Sequence, residues 1–311
     1  MFIFSPRRYN ELLAWIKRAG KVVKVGDNET IEIVNANLVV LDPRDRLMQC
    51  QGRKLIFPFG IAEWIGLLLG EDKVKFFSSF IDYSPYSTDG VIVDGAYGPR
   101  LHWPADQIAG VIKELKRDPY SRRAVATIYR GHRDLYGWGG KNTPCTLTLQ
   151  FVIREGKLNL ITTMRSNDAI WGLNYDLIMF TMLQEYVSTE LNVPLGTYYH
   201  NAGSLHLYER HYHLIESLNC DKGYPYVMEP MPKFTYWQLK VLQDAYRNAA
   251  DDEAFNEAIS ILPFGSYLSD LAWAARAYAA RKEDPLAAKK AYRLIESPAI
   301  LNVMRSWIGE E

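Results

Sequence analysis

The sequence has 311 residues, of which 48% are hydrophobic and 23% are charged, a composition typical of a globular protein with a sizeable core. The 36 basic and 36 acidic residues cancel, so binding to the phosphate backbone of a nucleic acid is not expected. No apolar run reaches the roughly 18 to 20 residues that a membrane span needs, so no membrane partner is expected.

The cysteines indicate the redox environment. Cys50, Cys145 and Cys220 are odd in number and far apart in the sequence, which predicts neither a disulfide framework nor a zinc site. The six histidines lack a spacing typical of metal ligands, so no metal is expected. We therefore expect a protein of the reducing cytoplasm.

Helix and strand patterns alternate at the start of the chain. Residues 9–19 place apolar side chains on one helical face, and residues 30–43 alternate as strands. The apolar run 62–70 predicts a buried helix. Glu63 stands at the start of this run, where a helix dipole would favour a carboxylate.

The middle of the chain begins with a long connection and then returns to regular patterns. Residues 71–100 are rich in Tyr and Gly, and loops of this length inside a compact domain are often functional. Residues 105–119 predict a helix that ends at a proline. A hairpin is predicted over 147–164, a long amphipathic helix over 176–191, and a further strand over 197–208.

The last part of the chain is Ala-rich and helical in pattern. The whole order of elements predicts an α+β fold, in which helices pack on a mixed sheet. We expect one domain over residues 1–234 and a helical C-terminal extension over 235–311 that packs on the same domain.

Taken in order, the motifs resemble the thymidylate synthase superfamily. They are DPYSRR, a Pro-Cys pair at Cys145 with Gln150 five residues later, then REGK, RSNDAIWGLNYD and GSLHLY. Glu63 stands where the family has an acidic helix residue, and Tyr97 begins a Tyr-Gly pair that the family shares. The resemblance covers about residues 55–215 and is closest to the (deoxy)cytidylate 5-hydroxymethylases. It implies a thymidylate-synthase-like mixed sheet with packed helices.

This resemblance implies covalent chemistry at C5 of a pyrimidine nucleotide. The Cys145 thiolate would add to C6 of the base and so make C5 nucleophilic. Taken alone, a cysteine of this kind is more often a buried structural residue. Glu63 would order water and move protons at the base. Tyr97 and Gln150 would contribute to the nucleotide pocket.

Asp176 is the most informative departure from the family pattern. The synthases carry Asn at this position, where it pairs with the N3 and O4 edge of uracil. A carboxylate accepts hydrogen bonds and therefore suits the 4-amino group of cytosine, while it repels O4 of uracil. The resemblance thus implies a cytidylate substrate, either CMP or dCMP. The alternative is that Asp176 only caps the helix predicted to begin there.

The resemblance also assigns residues to the rest of the nucleotide. Arg165 and Ser166 match the family's phosphate ligands. Arg122 and Arg123 match the pair that reaches into the neighbouring subunit's site, which implies a homodimer. The residues that match the ligands of the sugar 3′-hydroxyl are His206 and Tyr208. The N-terminal phosphate arginine of the family has no clear equivalent, and the candidates to replace it are Lys24, Arg44 and Arg46.

The implied one-carbon donor is 5,10-methylenetetrahydrofolate. The residues that match the folate side of the family's site are Asp168, Trp171, Gly172 and Tyr175. The chain ends in RSWIGEE, which does not match the apolar segment that closes the synthase site, and Thr146 replaces the usual His. A site that admits water favours hydration of the transferred carbon over its reduction.

These observations predict a cytidylate 5-hydroxymethyltransferase. A cytidylate C5-methyltransferase or a thymidylate synthase, each of which would release dihydrofolate, is the enzymatic alternative. A deoxyuridylate hydroxymethylase is a further alternative, which Asp176 disfavours as it does a thymidylate synthase. A catalytically silent nucleotide-binding dimer is the alternative of another class. An intact set of Cys145, Glu63 and Asp176 argues against this last reading, because a silent relative needs no nucleophile.

Overall fold

A mixed sheet of eight strands forms the centre of the molecule. The computed structural model describes residues 1–50, 53–137, 140–218, 220 and 227–309. The strands are β1 (Phe2–Phe4), β2 (Lys21–Val25), β3 (Asn28–Val40), β4 (Val125–Thr127), β5 (Thr146–Arg154), β6 (Lys157–Met164), β7 (Asn167–Asp168) and β8 (Leu195–Tyr208). They follow the order β1-β3-β8-β6-β5-β4, with β2 beside β3 and β7 beside β8.

Helices pack around this sheet. They are α1 (Tyr9–Ala19), α2 (Phe57–Leu69), α3 (Val74–Ser78), α4 (Tyr97–His102), α5 (Gln107–Arg117), α6 (Gly131–Asp134), α7 (Gly172–Leu191), α8 (Tyr212–Ser217), α9 (Tyr236–Arg247), α10 (Asp252–Ile259), α11 (Tyr267–Ala280), α12 (Pro285–Arg293) and α13 (Pro298–Ile308). Single 3₁₀ turns occupy Pro6–Arg8, Ser84–Tyr86 and Glu209–His211. Within the described residues, no helix is both long and apolar enough to cross a membrane.

The sheet confirms the predicted α+β class. β6 and β8 run parallel to each other, whereas β3 with β8 and β5 with β6 are antiparallel. The hairpin of β5 and β6 turns at Glu155 and Gly156, and both residues have positive φ angles, which the tight turn requires. Buried residues alternate along β5, β6 and β8, so one face of these strands is covered while the other is half exposed.

Two predicted helix starts were wrong. α2 begins at Phe57, so Glu63 lies in the middle of the helix and is not a residue of its first turn. α7 begins at Gly172, so Asp176 lies one turn inside the helix and does not cap it. Both helices are buried on nearly all sides, and such helices lack the amphipathic period that marks a boundary in the sequence.

The C-terminal helices pack against α2. Gln243 on α9 donates a hydrogen bond to the Glu71 carboxylate just after α2 (3.0 Å), and Trp307 on α13 donates one to the Leu55 carbonyl just before it (2.8 Å). Tyr278 on α11 bonds the carbonyl of Phe80 (3.3 Å). The C-terminal helices therefore contact the chain just before and just after α2, the helix that carries Glu63. The division of the chain at residue 234 stays a prediction.

The prediction of no disulfide was wrong. Cys50 and Cys220 are joined although 170 residues separate them in the sequence, and both are buried. The fold brings the segment before α2 against the segment after α8, with the two Cα atoms 4.3 Å apart. The separation of the two cysteines in the sequence therefore did not predict whether they could form a disulfide. The argument from cysteines to a reducing compartment loses its basis, and a cytoplasmic location stays a prediction.

Candidate active site

Two adjoining cavities open between α2, α4 and α7. Both are lined by Glu63, Tyr83 and Asp176, so these three side chains form a shared wall. The inner cavity is also lined by Tyr97 and Gly98, and the outer cavity by Asp168, Trp171, Gly172, Tyr175 and Arg210. The structure thus brings the predicted base-side residues Glu63, Tyr97 and Asp176 into one cleft with the predicted folate-side residues.

Cys145 lies beside the inner cavity at the start of β5. The next residue, Thr146, donates its N–H to the Tyr97 hydroxyl (3.4 Å), and Tyr97 stacks on Phe180 (ring centroids 6.3 Å apart). Burial raises the pKa of the Cys145 thiol, the Arg165 guanidinium opposes this effect, and the charge on Asp176 adds to it. Protonation of Asp176 would therefore favour the thiolate.

Arg165 holds the loop in front of Cys145. Its Nε donates to the Pro144 carbonyl (3.0 Å) and its Nη2 to the Thr143 carbonyl (2.8 Å), while its backbone N–H donates to the Cys145 carbonyl (2.8 Å). The arginine remains exposed, so the remaining donors of its guanidinium face solvent. Ser166, the next residue, is half buried.

The Glu63 carboxyl is the central acid of the cleft. Tyr83 donates a hydrogen bond to its Oε1 (2.8 Å). Burial, and then the neighbouring charge of Asp176, raise the pKa of Glu63 to about 8, although the bond from Tyr83 acts in the opposite direction. A carboxyl that titrates near neutral pH can both release and accept a proton under physiological conditions.

Asp176 is the second buried acid of the shared wall. Asn167 on β7 donates a hydrogen bond from Nδ2 to its Oδ2 (2.7 Å). Burial raises the pKa of Asp176 to about 7, which the bond from Asn167 opposes. At neutral pH the carboxyl is therefore divided between its acid and carboxylate forms. Because α7 begins at Gly172, the reading of Asp176 as a helix cap is removed.

Tyr97 is positioned by close contact between α4 and α2. Gly98 follows it, and a Cβ atom there would lie 2.1 Å from the Gly66 carbonyl oxygen and 2.9 Å from the Gly70 Cα. Only glycine allows this approach of the two helices. The Tyr-Gly pair noticed in the sequence is thus a packing requirement as well as a source of a pocket hydroxyl.

The outer cavity contains the residues expected on the folate side. Asp168 accepts a hydrogen bond from the Ile170 N–H (2.8 Å), and the half-exposed Trp171 bonds His211 through its indole N–H (3.2 Å). Tyr175 packs its ring edge-on against Phe59, with centroids 4.8 Å apart. A planar ligand could stack between such aromatic walls.

The residues expected around the phosphate and sugar are not part of the lining of either cavity. His206 is buried and contacts the ring of Tyr208, with centroids 4.9 Å apart. Arg122 and Arg123 are exposed and do not line either cavity. Gln150 bonds the carbonyl of Arg122 (3.1 Å), so it supports this arginine segment and is not in the cavity lining.

The structure removes one of the three candidates to replace the family's N-terminal phosphate arginine. Arg46 is fully buried and forms an ion pair with Glu185, so it is not available to a ligand. Lys24 lies on β2, and Arg44 is about 3.8 Å from the carboxylate of Asp42. Arg210, which the sequence analysis missed, lines the outer cavity and stacks over Tyr208, 3.9 Å from the ring centre.

Sequence reasoning also missed Tyr83 and Asn167. Tyr83 lies in the Tyr-rich connection that was flagged as functional without a named residue. Asn167 stands inside the RSND motif between two residues that were assigned. Over the described ranges, no group of three or more His, Cys, Asp or Glu side chains could hold a metal ion.

The family profile described as thymidylate synthase matches residues 8–231. A deoxyuridylate hydroxymethyltransferase of Bacillus phage SP01 is 32% identical over 229 residues, which cover 67% of this chain and 59% of that protein. One of Pseudomonas phage M6 is 35% identical over 176 residues, covering 55% and 50%. The chain therefore spans only half to three-fifths of the length of these relatives.

A solved structure has the same fold. The thermostable thymidylate synthase A of Bacillus subtilis superposes with a TM-score of 0.62 at 19% identity, covering 72% of this chain and 86% of that one. At this identity the likeness concerns the arrangement of helices and strands alone. It agrees with the predicted mixed sheet and packed helices.

Proposed function

Because the match over residues 8–231 means that the chain belongs to the thymidylate synthase family, we propose that it is a cytidylate 5-hydroxymethyltransferase. Its substrates would be CMP or dCMP, water and 5,10-methylenetetrahydrofolate, which supplies the one-carbon unit. The observation that carries the proposal is the buried Asp176 carboxyl, which lines the cleft, acts through its charge on the Cys145 thiol, and has a pKa raised by burial to about 7.

The hydrogen-bonding groups of Asp176 suit cytosine. In its acid form the carboxyl has one donor and one acceptor. It can donate to N3 of cytosine and accept from the 4-amino group, which forms a two-point pair. In its carboxylate form it has only acceptors, and O4 of uracil would then face an oxygen with no proton between them.

The chemistry divides among three side chains. The Cys145 sulfur would add to C6, which moves electron density to C5 so that C5 can bond the transferred carbon. Glu63, coupled to Tyr83, would accept the proton that leaves C5 while the bond between the transferred carbon and tetrahydrofolate breaks, which leaves a methylene group on C5 and frees tetrahydrofolate. Glu63 would later direct water to that methylene group, which becomes the hydroxymethyl group. The thiolate then leaves C6, and the aromatic ring is restored.

The relatives support hydroxymethylation as the outcome. The two phage proteins are named as hydroxymethyltransferases, and a hydroxymethyl product needs water where a methyl product needs a hydride. The same names specify deoxyuridylate, which makes deoxyuridylate the second candidate substrate. A protonated carboxyl could present its donor and acceptor in the reverse order and so pair with uracil.

The proposal includes a homodimer. The half-exposed face of the central sheet carries the apolar side chains of Leu147, Val152, Ile161 and Tyr199. A face of this kind is suited to a second copy of the chain. Arg122 and Arg123, which are exposed and outside the cavity lining, would then reach the phosphate in the partner's cleft. We place the enzyme in the cytoplasm, where its substrates occur.

Mass spectrometry of the product tests the proposal. The protein would be incubated with the folate donor and each of CMP, dCMP, UMP and dUMP in turn. We expect a mass increase of one hydroxymethyl group on a cytidylate, together with tetrahydrofolate. A methylated product with dihydrofolate would overturn the hydroxymethyl assignment, and turnover restricted to uridylates would overturn the base assignment. The CMP and dCMP arms determine the sugar preference.

A further inference from the structure

A chain of buried polar side chains continues behind Asp176. Asn167 donates to Asp176, and its other amide atom, Oδ1, lies 2.8 Å from Nε2 of His200. The Nδ1 atom of His200 lies 2.9 Å from the hydroxyl of Tyr198. The exposed fractions of the first three side chains are 3% for Asn167, 9% for Asp176 and 0% for His200, and Tyr198 is also fully buried.

One set of hydrogen-bond directions satisfies every member of this chain. Asn167 points its NH₂ group at the carboxyl, so its Oδ1 can only accept and His200 must donate from Nε2. Nδ1 of His200 then carries no proton and accepts from the Tyr198 hydroxyl. Burial lowers the pKa of His200 to about 4, which keeps the ring neutral and preserves this single tautomer.

The fold makes the chain rigid. Tyr198 and His200 are on the covered face of β8, and Asn167 belongs to β7, which pairs with β8 in parallel register. Gly172 leaves room for the amide, since a Cβ atom there would lie 3.1 Å from Asn167 Nδ2. The amide of Asn167 therefore has little freedom to rotate away from Asp176.

We propose that Asn167 and His200 are positioning residues that fix which oxygen of Asp176 faces which edge atom of the base, and thereby set the choice between cytosine and uracil. Asn167 donates to Oδ2 of Asp176, so the proton of the acid form belongs on Oδ1. A carboxyl that is not held in this way can exchange the roles of its two oxygens and pair with either base. The inference rests on the proposed function, because it explains how the same acid would discriminate.

Removal of the amide tests the idea. In Asn167→Ala, the ratio of kcat/KM for the preferred base to that for the other base should fall about 10- to 100-fold, which is the usual effect of one hydrogen bond to a charged group. The acid should also ionise at higher pH, because the bond from Asn167 lowers the pKa of Asp176. The alkaline limb of the pH profile for cytidylate should therefore move upward.

Paired variants of His200 separate positioning from stability. His200→Gln keeps an N–H donor near Nε2 and should retain most of the base discrimination, whereas His200→Phe should lose it. Gln184→Met is the control, because Gln184 is a buried amide on the same helix as Asp176 that bonds the carbonyls of Leu158 and Thr197. It should lower the melting temperature without changing the base ratio.

The charged neighbours of Asp176 are the same in all these variants. They are Glu63 on α2, Asp168 on β7 and the Cys145 thiol. An upward move of the pH profile in Asn167→Ala alone is therefore attributable to the lost hydrogen bond.

The outcomes also distinguish the two proposals. Wild-type protein that prefers uridylate refutes the proposed substrate, yet a collapse of that preference in Asn167→Ala would still support the positioning role. A base ratio and a pH profile that stay unchanged in both Asn167→Ala and His200→Phe would overturn the inference, whichever base the wild type prefers.

Discussion

The protein buries carboxyl groups in two kinds of surroundings. Between α6 and α4, Asp134 forms a two-point ion pair with Arg100 (2.7 and 2.8 Å). Although burial opposes them, Arg100 and the Arg130 N–H hold the pKa of Asp134 below its ordinary value. In the cleft, Glu63 and Asp176 have neutral partners, and their pKa values rise to about 8 and about 7.

The two kinds of surroundings give the buried carboxyl groups different roles. An arginine partner keeps a buried carboxylate charged, so the pair fixes two segments of chain and takes no part in proton transfer. A tyrosine or asparagine partner orients the acid but leaves its proton exchangeable near neutral pH. The predictions below should therefore separate residues that affect catalysis from residues that affect stability.

The largest effect is expected at the proposed nucleophile. Cys145→Ser should lower kcat by a factor on the order of 10⁴ or more, because a neutral hydroxyl is a far poorer nucleophile than a thiolate. Release of tritium from C5 of the labelled nucleotide into water measures the step directly. Release at the wild-type rate from a folded variant would show that another group attacks C6.

Loss of the cation that pairs with Asp134 should lower the stability of the protein. Arg100→Met leaves the Asp134 carboxylate buried without its cation, at a cost of roughly 3 to 5 kcal/mol in the free energy of unfolding. Arg276→Met is the matched control, since its partner Asp252 is 75% exposed and stays hydrated. Urea denaturation measures both. Equal losses in the two variants would contradict the role given to the Arg100 pair.

Substitution of Asp176 should change the selectivity between cytidylate and uridylate. Asp176→Asn should shift kcat/KM toward the uridylate by about 100-fold, because an amide donates to O4 and accepts from N3–H. Competition assays with mixed nucleotides give the ratio. Asp270→Asn, which alters a buried carboxyl among the C-terminal helices, should leave it unchanged. An unchanged ratio in Asp176→Asn would remove the base-reading role.

The smallest effect concerns the partner of Glu63. Tyr83→Phe removes a hydrogen bond that lowers the pKa of this acid, so Glu63 should ionise at higher pH. Steps that need the ionised form should then slow by about 3- to 10-fold at pH 7, consistent with one lost hydrogen bond. The ascending limb of the kcat profile measures this shift. Tyr278→Phe, which alters a buried hydroxyl outside the cleft, is the control.

The sequence predicted the elements whose pattern is local. The amphipathic period predicted α5, and the Glu-Gly turn predicted the hairpin of β5 and β6, because both signals depend on neighbouring residues. The starts of α2 and α7 were misplaced, since these helices are buried on almost every side and show no amphipathic period.

Long-range contacts were the part that the sequence could not provide. The bond between Cys50 and Cys220 and the chain from Asn167 to His200 join segments that only the folded sheet brings together. The site residues were placed by resemblance to family motifs, so a residue without a family role, such as Tyr83, was missed. The roles assigned to the site residues stay predictions until the variants are measured.

The contact at Gly98 has a consequence for the cleft. α4 and α2 touch through main-chain atoms, with no side chain between them that could change rotamer. Because this contact leaves the two helices little room to move past each other, the Tyr97 phenol on α4 and the Glu63 carboxyl on α2 shift together. Even one added methyl group at this crossing would misalign the nucleophile's neighbour and the proton acceptor at once, without altering either chemical group.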